Sequence, residues 1–138
     1  MPAQSTTPNA AKVQAAQFAV TIWPGGMKDL DKPEEHVATV DQLVERLTTT
    51  EEATKGDLPF LKLARMGDVR NPNAKGKGSY RHNGNVEAVS GVEYDLDSGV
   101  VTFEDAVERL RSAGVRAVVA RSSSWTPAKH KLRVFALF

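Results

Sequence analysis

The chain has 138 residues, 41% of them hydrophobic and 25% charged. That is enough for one domain with its own core and lies far from the disordered and fibrous classes. Eighteen basic residues against seventeen acidic ones leave a net charge of only +1, so bulk charge argues for no polyanionic partner.

Other absences narrow the field. There is no cysteine, which excludes a disulfide framework, a thiolate zinc site and a cysteine nucleophile. No apolar run approaches the roughly 18 residues of a membrane span, and the N-terminus lacks the charged-then-apolar order of a signal peptide. A cytoplasmic protein with no membrane partner is therefore expected.

Residues 1–17, rich in Ala, Gln, Thr and Pro without a period, predict a frayed, flexible leader; residues 18–138 form the expected domain. Phe18 to Trp23 is β-branched and aromatic and stops at Pro24-Gly25-Gly26, which predicts a first strand. From Thr39 onward Val40, Leu43, Val44 and Leu47 repeat at helical spacing, with Thr39 and Gln42 placed as a capping box. Residues 58–66 fit either a short strand or a connection. Residues 71–84, dominated by Gly, Asn and Lys, predict a long mobile loop.

Val86 to Leu96 alternates as one strand, with Glu93, Asp95 and Asp97 on one face, and Ser98-Gly99 breaks it. Thr102 then caps a helix whose stripe is Phe103, Ala106, Val107 and Leu110, closed by Gly114. Val115 to Arg121 and Leu132 to Phe138 are further strands, joined by a loop over residues 122–131. Strand, helix, strand, loop, strand predicts an α+β fold of the ferredoxin-like kind, a mostly antiparallel sheet with helices packed on one face.

Charge is unevenly distributed along this plan. Arg65, Arg70, Lys75, Lys77, Arg81 and His82 face a single Asp68 in one segment. Arg116, Arg121, Lys129, His130, Lys131 and Arg133 form a second run without an acid. Two basic segments around an acidic centre suit a site where carboxylates hold metal ions and cations hold phosphates, and equally describe two solvated surfaces.

Asp95 and Asp97 are the sharpest candidates. At i and i+2 on a strand their side chains share a face, ~6–7 Å apart at Cα, close enough to share divalent cations. Acids before a turn are also common for conformational reasons alone. Ser122, Ser123 and Ser124 could cradle phosphate oxygens, with Trp125 as an aromatic or a packing anchor. Arg133, flanked by core residues, needs a triphosphate or an internal carboxylate. Arg81 beside Tyr80, in the loop with Lys75 and Lys77, could grip a nucleic-acid backbone. His36, His82 and His130 pair at no metal or triad spacing.

In order, these pieces resemble the N-terminal catalytic domain of phage- and plasmid-type primases and primase-polymerases of the archaeo-eukaryotic primase superfamily. The resemblance rests on Arg81 and Asn85 ahead of V-S-G-V-E-Y-D-L-D (Val89 to Asp97). It continues through the helix Phe103 to Gly114 with Asp105-Ala106, the serine-rich loop ending Thr126-Pro127, and a strand containing Arg133-Val134. It implies a palm related to RNA-recognition folds and metal-dependent nucleotidyl transfer in DNA replication.

By that resemblance Asp95 and Asp97 bind Mg²⁺ or Mn²⁺. Ser123, Ser124, Trp125, Lys129, Lys131 and Arg133 bind a nucleoside triphosphate, and Tyr80, Arg81, Lys75 and Lys77 a single-stranded DNA template. A helicase domain or replication protein is the further partner implied. Two positions depart from the family. Trp125 stands where its motif has a histidine, and no later acid occurs before Phe138, so the metal site is incomplete unless Glu93 or a downstream segment supplies its third ligand. The resemblance therefore implies a fragment or a degenerate relative, and its alternative is an inactive module that binds nucleic acid or a replication partner.

Overall fold

A computed structural model describes residues 16–26, 29–31, 33–49 and 54–138. Nearly all of the expected N-terminal leader lies outside them. Among the described residues no helix is long and apolar enough to cross a membrane.

The first strand, β1 (Phe18–Trp23), forms where its β-branched and aromatic run predicts, and five of its six residues are buried. It is the middle strand of a small antiparallel sheet, between β2 (Glu34–Ala38) and β3 (Phe60–Lys62). Trp23 is fully buried and donates its indole N–H to the Leu30 carbonyl at 3.0 Å. α1 (Val40–Thr49) starts at the expected capping box: the Thr39 N–H reaches Gln42 Oε1 at 2.9 Å, and the Gln42 N–H reaches Thr39 Oγ1 at 3.3 Å. Residues 58–66 resolve into two short strands, β3 and β4 (Ala64–Met66). The buried Thr21 hydroxyl ties β4 to β1 by donating to the Ala64 carbonyl at 2.8 Å.

The expected single strand from Val86 to Leu96 is two strands in different sheets. β5 (Val86–Val89) pairs with β4, whereas β6 (Gly91–Gly99) pairs with β8 (His130–Leu137). The switch is at Ser90, whose N–H donates to Leu63 and whose carbonyl accepts from Phe138. Gly91 follows because a Cβ there would stand 2.2 Å from the Ala136 carbonyl oxygen, closer than atoms can approach. The apolar–polar alternation of the sequence runs through Ser90 without a break, so periodicity alone could not reveal the switch.

α2 (Phe103–Ser112) is capped as expected, with the Asp105 N–H donating to Thr102 Oγ1 at 3.1 Å. It ends at Gly114, with φ +67°, where the Val115 N–H closes back on Leu110 and the Gly114 N–H on Arg111. β7 (Ala117–Arg121) then lies beside β8, giving the strand order β6-β8-β7 with β8 antiparallel to both neighbours. β6 and β7 are thus parallel, and β6-α2-β7 is a βαβ unit split by β8. Among the described residues the architecture is α+β, in three small sheets rather than one.

The helices also depart from the one-sided arrangement expected. Phe135 and Leu137 of β8 share a core cluster with Phe18, Val20, Ile22, Leu63, Val118 and Leu43 of α1. Phe103 of α2 instead lies against Arg121, which is paired with Leu132 on the opposite face of the sheet. Burial on both faces explains why Leu132 and Val134 are as inaccessible as Phe135 and Leu137.

Residues 71–84 are better organised than their composition suggests. Arg70 donates to Asp31 Oδ1 at 2.7 Å and to the Gly78 carbonyl at 2.9 Å, and its guanidinium lies 4.5 Å from the Tyr80 ring centroid. Lys77 reaches Asp31 Oδ2 at 2.8 Å. Those hydrogen bonds, from Lys77 first and Arg70 second, hold the Asp31 carboxyl below its ordinary pKa. The buried Asn85 side chain closes the far end, donating to the Gly67 and Tyr80 carbonyls and accepting from the Val69 N–H. Asn85→Ala leaves these groups unmatched and is expected to cost about 2–3 kcal/mol, read as a lower denaturant midpoint at unchanged m-value.

Candidate phosphate-binding cleft

One face of β6-β8 carries the acids and their partners. Asp95 lies directly across from Arg133, and Glu93 across from Phe135. Arg133 grips Asp95 with two donors, Nε to Oδ1 at 2.8 Å and Nη2 to Oδ2 at 3.3 Å. The internal carboxylate considered for Arg133 is therefore present. Asp97, past the last regular pair before the β6 bulge, is 64% exposed and has Lys131 Nζ at 3.9 Å. Glu93 is occupied elsewhere: Lys62 Nζ is 2.9 Å from one oxygen, and the Leu63 N–H donates to the other at 2.7 Å. It is a structural acceptor that joins β6 to β3, and no third metal ligand.

Asp95 and Asp97 line a cleft of about 760 Å³, within the ordinary size of a ligand site. The polar lining of the cleft comes from these acids, Ser122, Ser123 and Ser124 after β7, and Lys131 and Arg133 on β8. Its cations also include Arg81, Arg121, and two that sequence reasoning missed, Arg46 on α1 and Lys55. Leaving out Arg121, whose guanidinium lies over Trp125, five cationic residues against two carboxylates make the local field positive although the whole chain is nearly neutral. The apolar lining comes from Leu43 and Leu47 of α1, residues 58–61, Ile22, and Phe135, which shares a face of β8 with Arg133. Arg46 had a readable signal, its place three residues after the buried Leu43 on the same helix. Lys55 and Phe60 had none, since only the fold brings them across from β6.

Other sequence candidates are not part of the cleft lining. Lys77 is paired to Asp31 and Tyr80 is covered by Arg70. Lys75, Lys129 and Trp125 are likewise not among the lining residues. Trp125 packs instead under the Arg121 guanidinium at 4.2 Å and edge-on to His130, with ring centroids 6.0 Å apart. That is the packing-anchor role considered for it. The Ser122 N–H donates to Lys131 and the Trp125 N–H to Ser122, which folds the serine loop back on β8.

Hydrogen bonding from Arg133 is the main cause holding the Asp95 carboxyl below its ordinary pKa; partial burial opposes it, and Lys62 and Lys55 add smaller attractions. A carboxyl lowered on folding contributes stability at pH above its unfolded value, about 3.9, and loses that contribution as pH falls through the folded value. Carbon-detected NMR titration is expected to place the Asp95 midpoint below that of a free aspartate, and Arg133→Gln to return it upward.

The donor set sets limits on a metal. Among the described residues no group of three His, Asp or Glu side chains is arranged to hold one. Two carboxylates, one gripped by a guanidinium, do not make a cage of their own. They do match Mg²⁺ or Mn²⁺ arriving with a phosphate ligand, since such ions take one or two carboxylates and complete their shell with substrate oxygens and water. Comparison with protein-family models, curated proteins and solved structures finds no match.

Proposed function

We propose that the cleft binds a nucleoside triphosphate together with a divalent cation, and that the chain is a primase-polymerase-like nucleotidyl-transfer domain acting on single-stranded DNA. The observation that carries this reading is convergence. Asp95, Asp97, Ser123, Ser124, Lys131 and Arg133, separated by up to 38 residues in the chain, line one cleft together with Arg81. The resemblance of the ordered segments from Arg81 to Val134 supplies the reaction class.

In this reading the Arg133 fork moves from Asp95 to the triphosphate, with Lys131 beside it, and so frees the Asp95 carboxylate as the cation arrives. The serine hydroxyls and Arg81 supply further donors. A divalent cation on Asp95 and Asp97 would stabilise charge on the phosphate and acidify an attacking hydroxyl. A helicase domain or other replication protein would be the partner in the full assembly.

Calorimetry tests the reading. Mn²⁺ alone is expected to bind weakly, Mn²⁺ with ATP to bind at least about tenfold more tightly than either alone, and Asp97→Asn to remove that synergy. Nucleotide binding indifferent to Mn²⁺ and to Asp97→Asn favours a second reading, a binding module without catalysis. The Asp95–Arg133 pair is the observation on that side, because it neutralises one of the two acids.

A further inference from the structure

The face of β6 that carries Asp95 and Asp97 also carries Glu93, two residues before Asp95. Residues so placed stand ~6–7 Å apart at Cα, so their carboxylates compete for any cation within reach of both. Lys62 of β3 is such a cation. Its Nζ lies 2.9 Å from Glu93 Oε2, while the Leu63 N–H takes the other oxygen at 2.7 Å, so one carboxylate fixes both the lysine and the chain beside it. The charge of Lys62 is also felt next door. After the Arg133 hydrogen bonds, which are the main cause, Lys62 adds to the attraction that holds the Asp95 carboxyl below its ordinary pKa.

Resting on the proposed nucleotide–metal site, we infer that Glu93 is a positioning residue for that site: by holding Lys62 it keeps a protein cation off Asp95 and leaves that carboxylate to a divalent ion. The need arises when Arg133 turns to the triphosphate. Asp95 then loses both of its guanidinium contacts, and either the incoming ion or the neighbouring lysine can replace them. An ammonium on a flexible four-carbon stem reaches a half-exposed carboxylate with little loss. Glu93 prevents this because it is the better partner: its side chain is 18% exposed against 54% for Asp95, so its attraction for Lys62 is less screened by water. Glu93 touches neither metal nor nucleotide and acts through Lys62 alone.

Calorimetry of Mn²⁺ with ATP across a double-mutant cycle tests this, using Glu93→Gln, which keeps an acceptor for the Leu63 N–H, Lys62→Met, and the two combined. Glu93→Gln is expected to weaken Mn²⁺–ATP binding about three- to tenfold. Lys62→Met should change it by no more than about twofold when Glu93 is present, yet restore it severalfold in the Glu93→Gln background. Equal effects of Lys62→Met in the two backgrounds would reveal only a summed field and overturn the inference. So would an undiminished affinity in Glu93→Gln, or a loss that Lys62→Met leaves in place, as a purely structural carboxylate would give. The Asp95 carboxyl carbon shift, read at neutral pH without metal or nucleotide, separates this inference from the reading beneath it: it should move in Glu93→Gln and return in the combined variant. If the unmodified protein binds no Mn²⁺–ATP, the nucleotide–metal reading falls. A moved carbon then still upholds the restraint on Lys62, and an unmoved one ends it too.

Discussion

Arg133→Ala is expected to weaken nucleoside triphosphate binding by about 10–100-fold while strengthening the binding of Mn²⁺ alone. The loss follows from removing a two-pronged donor from the phosphate side of the cleft, where hydrogen bonds to charged groups are worth about 1.5–3 kcal/mol. The gain follows from the same geometry, because both Asp95 oxygens are engaged by that guanidinium. The protein should stay folded. Arg133 and Asp95 are 41% and 54% exposed, and a pair so accessible contributes little to stability. Titrating the variant with Mn²⁺ and with Mn²⁺–ATP separates the two effects. A parallel fall in both affinities would mean that Asp95 needs Arg133 to be held in position.

Phe135→Ala is expected to be the most destabilising single change on the cleft floor. Phe135 is 1% exposed, sits on the central strand of β6-β8-β7, and joins the cluster that unites β1, α1 and β8. Truncating a buried phenylalanine costs about 3–5 kcal/mol, a large share of the 5–15 kcal/mol typical of a domain. A fall in Tm of roughly 10–20 °C should accompany it. Phe138→Ala, three residues on, is the control: Phe138 is 77% exposed, and its loss should move stability by no more than about 0.5 kcal/mol.

How far the sequence reveals this molecule depends on the range of the interaction concerned. Local signals were legible. The Thr39–Gln42 box, the Thr102 cap and Gly114 are set by neighbours within a few residues, and each occurs as its residues predict. The strand period also placed Asp95 on the face that meets the cleft. Long-range pairings were not legible. That Asp95 meets Arg133 depends on the register of β6 on β8, separated by a helix, a strand and a turn.

The order in residues 71–84 comes from Asp31, some 39 and 46 residues distant from Arg70 and Lys77. A composition of Gly, Asn and Lys cannot announce a partner so far away, and the lysines expected to hold a template are spent or placed outside the cleft. The division at Ser90 was hidden for a different reason. The sequence alternation carries no break there, and the hydrogen bonds of Ser90 and the space around Gly91 show where the chain changes sheets.

The central claim is that the two aspartates, the serine loop and the β8 cations form one nucleotide–metal site. Paramagnetic broadening of backbone amide signals by Mn²⁺ in the presence of ATP tests it most directly. Broadening is predicted to centre on Asp95, Asp97, Ser123, Ser124, Lys131 and Arg133, to spare residues 71–79, and to vanish in Asp97→Asn. Broadening centred elsewhere, or unchanged by that substitution, would contradict the account.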